Sequence, residues 1–233
     1  MATPGTAQIK RVLRAIRRPF IRREPPQDDR WPSNISGVWI DVGAHLGTMS
    51  FPAAQRNPGL EVYAFEPNVK LAAQTWGLLP NFKVIPMAIA ETNGLADLYV
   101  NTNEGSSSLL PFNPEGLRRW IGGHLMRVES KVQVPTIRLD SFMEWARIST
   151  VDYLKIDTQG ADLSVLKSAG ERLRDIKKIM LEVAVTPVPL YEGAATRAEV
   201  MAYLERYGFA LKKAESQYYQ QEENLTFVAE DQG

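Results

Sequence analysis

Asp41, Glu66, Lys155, Asp157 and Glu182 each interrupt or end an apolar run, and charged groups in such places are where this sequence can do chemistry. Asp41 lies in VWIDVGAHLG (38–47), ahead of two glycines four residues apart, Gly43 and Gly47. Glu66 closes a second apolar run, EVYAFEP, and Pro67 follows it. Glycines let a backbone approach a ligand closely, and a helix start offers free N–H groups. An acid at the tip of the second strand can accept from both hydroxyls of a ribose. Asp41, Gly43, Ala44, Gly47, Glu66 and Pro67 therefore form a candidate nucleoside site.

The loop is not a dinucleotide fingerprint, because His45 stands where G-x-G-x-x-G needs its second glycine. No Gly-Lys-Ser/Thr phosphate loop occurs either. An acid at Asp41 suits a nucleoside that carries an amino acid with its ammonium nearby, and S-adenosylmethionine is the obvious member of that set. An NAD-dependent oxidoreductase is disfavoured by the missing glycine.

The second informative stretch is YLKIDTQG (153–160). A buried parallel strand should be apolar, yet Lys155 and Asp157 sit two residues apart and so share a face. They make a polar acceptor site beside the cofactor, or else an ion pair of Lys155 with Asp157 or Glu182 that joins neighbouring strands. Glu182, inside IMLEVAV (179–185), can work with Asp157 to hold a divalent cation or orient a hydroxyl; its alternative is to pair with Lys155. His45 falls at the start of the first expected helix, where the dipole favours neutral imidazole. There it either takes a proton from a hydroxyl or only packs against the cofactor. His124 and the Ser106–Ser108 run lie in a later loop-rich stretch and are further candidates, Ser107 for the cofactor.

These side chains need an α/β frame. Strands are expected at 38–42, 60–65, 82–87, 152–157 and 176–184, and helices at about 45–56, 68–78, 161–169 and 196–207. ALKKAES (210–216) and ENLTFVAE (223–230) read as a closing antiparallel pair. The alternation breaks between Gly94 and Trp145, where ADLYV and VQVPTIRL read as strands around a stretch rich in Ser, Pro, Gly and aromatics. Residues of about 103–131 are read as an insertion that caps the substrate site.

The 233 residues, 44% hydrophobic and 23% charged, suit one domain with an ordinary core. No apolar run approaches the ~20 residues of a membrane-spanning helix. Cysteine is absent, which excludes disulfides and cysteine–zinc sites and fits a cytoplasmic location. Two histidines cannot build a His-rich metal centre; a divalent metal held by carboxylates stays open and is not expected. Residues 1–30 hold eight Lys/Arg against three acids, and the rest hold nineteen against twenty-four. An acidic body argues against nucleic acid as partner. Residues 1–36 read as a basic amphipathic helix and a Pro-rich linker, with 37–233 as the domain. Residues 9–23 of that helix would touch anionic lipid at the membrane periphery, cover the cofactor, or simply pack as a terminal helix. A homodimer stays open.

Taken in order, IDVGAHLG (40–47), VYAFEPN (62–68), the Ala88 region, SSL (107–109), VPTIRLDSF (134–142), YLKIDTQGADLSVLKSAG (153–170), IMLEV (179–183) and YGF (207–209) resemble the FkbM-type family of S-adenosylmethionine-dependent methyltransferases. The resemblance covers nearly everything after Val38, and the LKID segment with its VL-x-x-AG tail is its most specific part. It implies a Rossmann-like class I methyltransferase fold of seven strands, mostly parallel, with helices on both faces and an insertion between the third and fourth strands. It implies S-adenosylmethionine as donor and usually O-methylation of a small metabolite or sugar. By position, Asp41, Gly43 and Gly47 form the cofactor loop, Glu66 holds the ribose, and Asp157 borders methyl transfer. The family usually has Asn at His45 and reads KID-x-EG-x-E, where this chain has Gln159 and Asp162. No acid follows the third strand to take the adenine amine, so backbone near Met87 and Ala88 is expected to serve.

A hydroxyl acceptor needs a base within about 3 Å. Asp157 is the first choice, His45 and His124 are alternatives, and Lys155 is expected to hold Asp157 and tune it. A nitrogen acceptor needs less help, so N-methylation stays open, as does a nucleoside-binding accessory module without turnover. Trp120, Phe112 and Trp145 are available to stack on a sugar ring or to fill the core.

Overall fold

The computed structural model describes residues 34–230; the basic amphipathic stretch expected at 9–23, and nearly all of the 1–36 segment, lie outside the described residues. A seven-stranded sheet runs β3-β2-β1-β7-β8-β10-β9. Its strands are β1 Gly37–Val42, β2 Leu60–Phe65, β3 Phe82–Ile85, β7 Tyr153–Ile156, β8 Lys178–Ala184, β9 Phe209–Gln217 and β10 Glu222–Ala229. Only β10 runs antiparallel, against both β8 and β9. This is the expected α/β methyltransferase sheet, including the closing pair at the C-terminal end.

The strand order turns around between β1 and β7. From β1 the chain steps outward through α1 (Ser50–Arg56) and α2 (Val69–Thr75) to β2 and β3. After the insertion it returns through α4 (Leu139–Trp145) to β7, then goes the other way through α5 (Asp162–Ser168) to β8, and α6 (Arg197–Arg206) precedes β9. Right-handed crossovers in opposite directions put α1 and α2 on one face and α5 on the other. The main core forms on the second face, where Ile40, Val42, Phe65, Leu154, Ile156 and Leu181 meet Phe142, Leu166 and Leu204 of α4, α5 and α6. Alternation along each strand therefore sends Asp41, Lys155 and Glu182 to the first face.

Three departures from expectation bear on the site. The first helix begins at Ser50, not at residue 45, because His45 (φ 51°) and Gly47 (φ 67°) are left-handed and cannot start a helical turn. The strand expected to end at Asp157 stops at Ile156, and the Asp157 N–H makes the last bond to β1, to the Val42 carbonyl at 2.9 Å. The α4 helix was not foreseen, although Leu139, Phe142 and Met143 are all buried at helical spacing. VQVPTIRL was read as a strand through Leu139, and the strand ends at Ile137.

The stretch between β3 and α4 builds a second sheet, β4 (Ala88–Ile89), β6 (Val128–Ile137) and β5 (Gly94–Asn101), in that order. Between β5 and β6 come two short 3-10 turns, Glu104–Ser106 and Gly123–Leu125, and the helix α3 (Pro114–Arg119), which Asn113 caps by accepting from Glu115 and Gly116 N–H. A bridge between Phe112 and Tyr191, with their rings stacked at 5.3 Å, ties this insertion to the loop after β8. No helix among the described residues is long and apolar enough to cross a membrane.

Candidate active site

Ligands of open α/β sheets sit beyond the carboxyl ends of the strands where the order reverses. A cavity of about 300 Å³ opens there, and its walls include Gly43 and Ala44 after β1, Glu66 and Pro67 after β2, and Asp157 after β7. That volume is within the range of small-molecule sites. Met87, Ala88, Ile89 and Leu98 give it an apolar side, and Ser107 closes it from the insertion.

The loop after β1 is shaped by contact. The N–H groups of Gly43 and Ala44 both donate to the Phe65 carbonyl, at 3.0 and 2.9 Å. A Cβ on Gly43 (φ 73°) would collide with the Asp157 carbonyl, so glycine is required for β1 and β7 to release their loops side by side. Gly47 does not reach the cavity; its missing side chain lets the turn rest on Phe82 and Phe51. His45 sits in a left-handed backbone that Asn, Asp and His tolerate better than most residues, which accounts for His where the family usually has Asn.

Glu66 is buried and held by two backbone donors, His45 N–H on Oε2 and Asn68 N–H on Oε1, both at 2.8 Å. Asn68 also caps α2 by accepting from Lys70 N–H. Burial pushes the Glu66 carboxyl above its ordinary value, and the two N–H donors oppose that rise.

Asp41, expected to face a cofactor ammonium, does not line the cavity. It lies behind the loop, 2% exposed, and its carboxylate is already taken by the Ser50 hydroxyl and by Lys155 Nζ at 3.0 Å. Lys155 is opposite Asp41 in the β1–β7 register. Its ammonium also donates to the Gly43 carbonyl at 2.9 Å and stands 3.5 Å from Asp157. Burial works against its charge, but Asp41 and Asp157 more than offset this and raise its pKa. Its expected pairing with Asp157 is present, while Glu182 has a different partner.

A second cavity, of about 320 Å³, adjoins the first. Asp157, Gln159 and Gly105 line both; Glu182, Glu222, Trp120 and Leu190 line only the second. Gln159 spans the floor between them. Its Nε2 donates to Asp157 Oδ1 at 2.9 Å and to Glu182 Oε2 at 3.1 Å, and its Oε1 accepts from the Tyr191 hydroxyl at 3.0 Å. Burial, then repulsion from Asp157, Glu222 and Asp162, pushes the Glu182 carboxyl up to about 9. Burial and the same Asp157 and Asp162 charges take Glu222 up to about 7. Asp162 closes the loop before α5 by accepting from Thr158 and Gly160 N–H, and burial raises it to about 6.

The insertion is pinned over this junction. Ser108 Oγ donates to the Gln159 carbonyl at 2.7 Å and accepts from Leu110 N–H at 3.0 Å. Ser107 accepts from Asn101 N–H at 3.2 Å, and Tyr191 donates to the Ser106 carbonyl at 2.7 Å. Of the three aromatics singled out, only Trp120 reaches the second cavity. Phe112 stacks on Tyr191, and Trp145 is 77% exposed at the end of α4. His124 is exposed in the 3-10 turn and lines neither cavity. Tyr191 and Glu222 were not anticipated: nothing in VPLYEG or the start of EENLTF announces a role that exists only once the loop folds back under the insertion. Among the described residues no three His, Cys, Asp or Glu side chains gather closely enough to hold a metal ion.

Residues 41–211 match the model of the methyltransferase FkbM domain. The chain is 27% identical over 164 residues to 2-O-methyltransferase NoeI of Sinorhizobium fredii, covering 67% of this chain and 66% of that protein. It superimposes on the crystal structure of an FkbM methyltransferase from Methylobacillus flagellatus with a TM-score of 0.51 at 12% identity, over 86% of this chain and 46% of that one. The chain thus spans just under two thirds of the first relative and under half of the second. With the family match running from Asp41 into the start of β9, the chain belongs to the FkbM family of S-adenosylmethionine-dependent methyltransferases.

Proposed function

We propose that this chain transfers a methyl group from S-adenosylmethionine to a hydroxyl oxygen of a small-molecule acceptor, with Asp157 as general base. The observation that carries this reading is the meeting of two cavities at one carboxylate: Asp157 lines both. The cofactor fits the first cavity by chemistry. Glu66 offers lone pairs to a ribose, the Gly43 loop admits close backbone approach, and the Met87–Ile89 side is an apolar wall for a base. When bound, it supplies a methyl on sulfonium and leaves as the neutral thioether.

The remaining steps belong to the chain. The second cavity positions the acceptor so that its oxygen, the methyl and the sulfur are in line, and such placement accounts for much of the acceleration. As the new C–O bond forms, the hydroxyl proton passes to Asp157. Lys155 steadies Asp157 from behind, and Glu182 and Glu222 accept from or donate to neighbouring acceptor hydroxyls. The insertion, pinned through Ser108, serves as the lid that keeps water out. The Sinorhizobium relative is named a 2-O-methyltransferase, which supports oxygen as the acceptor atom.

Calorimetric titration with S-adenosylmethionine, S-adenosylhomocysteine and NADH separates the readings. The expected result is binding of the two sulfur nucleosides and not of NADH, weakened about 10- to 100-fold in Glu66→Ala through two lost ribose hydrogen bonds. An acceptor screen by S-adenosylhomocysteine release then follows, in which Asp157→Asn should lower turnover by about 10²–10⁴ with cofactor affinity retained. Binding indifferent to Glu66 would sink the cofactor assignment. Turnover retained in Asp157→Asn would remove Asp157 as base and favour a nitrogen acceptor, and binding without turnover on any acceptor would favour an accessory module.

A further inference from the structure

Gln159 has a left-handed backbone (φ 56°), which is uncommon for a long unbranched side chain and costs about 1 kcal/mol. Three side-chain hydrogen bonds hold it there, and they join three separate elements: Asp157 after β7, Glu182 on β8, and Tyr191 in the loop before α6. Tyr191 is itself buried and fastened to the Ser106 carbonyl of the insertion.

We propose that Gln159 is a positioning residue for methyl transfer, a neutral clamp whose amide nitrogen bridges Asp157 and Glu182 and so fixes the base at the mouth of the acceptor cavity. This rests on the assignment of Asp157 as base. The chemistry of the amide suits the task. An ionised Asp157 only accepts, and the amide brings one hydrogen to it and a second to Glu182 Oε2, an oxygen that accepts whether or not that acid carries its proton. The single Tyr191 hydroxyl hydrogen is shared between the Ser106 carbonyl at 2.7 Å and the Gln159 amide oxygen at 3.0 Å. A glutamate of the same length would bring acceptors and a third charge to the same spot. The clamp thus explains how this chain keeps Asp157 and Glu182 within reach of one side chain.

Its signature is read at Glu182, which other groups also face. Asp157 beyond β7, Asp162 on α5, Glu222 on β10 and the Tyr191 hydroxyl all bear on it, and all three acids raise its pKa. Gln159 alone among its direct partners works the other way, by donating to the ionised form.

The test is a carboxyl ¹³C NMR titration of the full chain, with Glu182 assigned by loss of its signal in Glu182→Gln. Gln159→Asn keeps an amide and tolerates the left-handed backbone but is one methylene too short to span both acids. Gln159→Glu keeps the length and removes the donors. Tyr191→Phe leaves the clamp in place and releases its anchor. Glu182 should titrate about half a pH unit or more higher in Gln159→Asn, further up in Gln159→Glu, and slightly up in Tyr191→Phe. A Glu182 titration unchanged or lowered in Gln159→Asn, with the fold intact by its amide spectrum, would overturn the clamp. The titration needs no ligand. Failure of the wild type to bind S-adenosylhomocysteine by calorimetry would therefore overturn the methyltransferase reading separately.

Discussion

The two cavities that meet at Asp157, the first proposed for the cofactor and the second for the acceptor, are built on different principles. At the cofactor end, backbone does most of the holding: Gly43 and Ala44 are pinned to Phe65, Glu66 is set by two N–H donors, and the buried Lys155–Asp41 pair compensates its own charges. At the acceptor end, side chains from distant segments do it: Gln159, Glu182, Tyr191, Glu222 and the serines of the insertion. The first end is charged and balanced, while the second gathers acids whose pKa values burial and mutual repulsion push up to about 9 and 7. A ligand that is the same in every turnover of a family suits a rigid backbone cradle. A ligand that differs among relatives suits side chains on an insertion, which can change without moving the sheet.

That contrast can be broken experimentally. The largest effect is expected at the balanced end. Lys155→Met leaves Asp41 buried with a charge and no cation, and should cost about 3–5 kcal/mol of stability by denaturant unfolding. Adding Asp41→Asn should return much of that loss; if the single variant costs less than about 1 kcal/mol, the pair is not the hub described above.

The acceptor end should reveal itself through pH. The folded chain keeps the Glu182 proton up to about pH 9, whereas an ordinary glutamate releases it near 4.5, so the folded state binds more protons across that window. Stability must then fall as pH rises through it, with Asp162 (about 6) and Glu222 (about 7) contributing toward its lower side. Glu182→Gln should flatten the slope of unfolding free energy against pH by up to about 1.4 kcal/mol per pH unit, the limit for one proton. An equal slope in both proteins would mean that Glu182 is not the group that titrates.

The smallest change tests the seam between the two ends. Ser108→Ala removes the hydroxyl that bonds the Gln159 carbonyl and Leu110 N–H, and should cost about 1 kcal/mol. Amide hydrogen exchange should quicken at residues 103–110 while the β1 and β2 amides stay protected. Equal protection in the insertion would show that it is held by something other than this pin.

The cofactor end was legible because its signals are local. The VWIDVGAHLG and EVYAFEP runs each carry strand and acid within ten residues, and the mostly parallel sheet with helices on both faces follows from the alternation of strands and helices. Asp41 and Gly47 were placed at the ligand and lie away from the cavity, Asp41 because strand period alone cannot say whether an inward acid meets a ligand or a lysine from the next strand. The acceptor end was only half legible. Lys155, Asp157 and Glu182 stood out as charges in apolar strands, and Gln159 as a departure from KID-x-EG. Trp145 was offered as a stacking group and proved exposed, since its place depends on α4, a helix hidden behind a proline-bearing strand.

The amino-acid order by itself determined the doubly wound sheet, the antiparallel last strand, the Gly43 approach and the acid that ends β2. Each depends on the pattern of neighbouring residues, and short-range sterics and burial enforce it. The tertiary structure alone decided that Lys155 answers Asp41, that Gln159 bridges Asp157 and Glu182, that Tyr191 backs Gln159, and that Glu222 lines the second cavity. Those pairings join residues tens to more than a hundred positions apart, and only the packing of loops over the carboxyl ends of the strands brings them within hydrogen-bond reach.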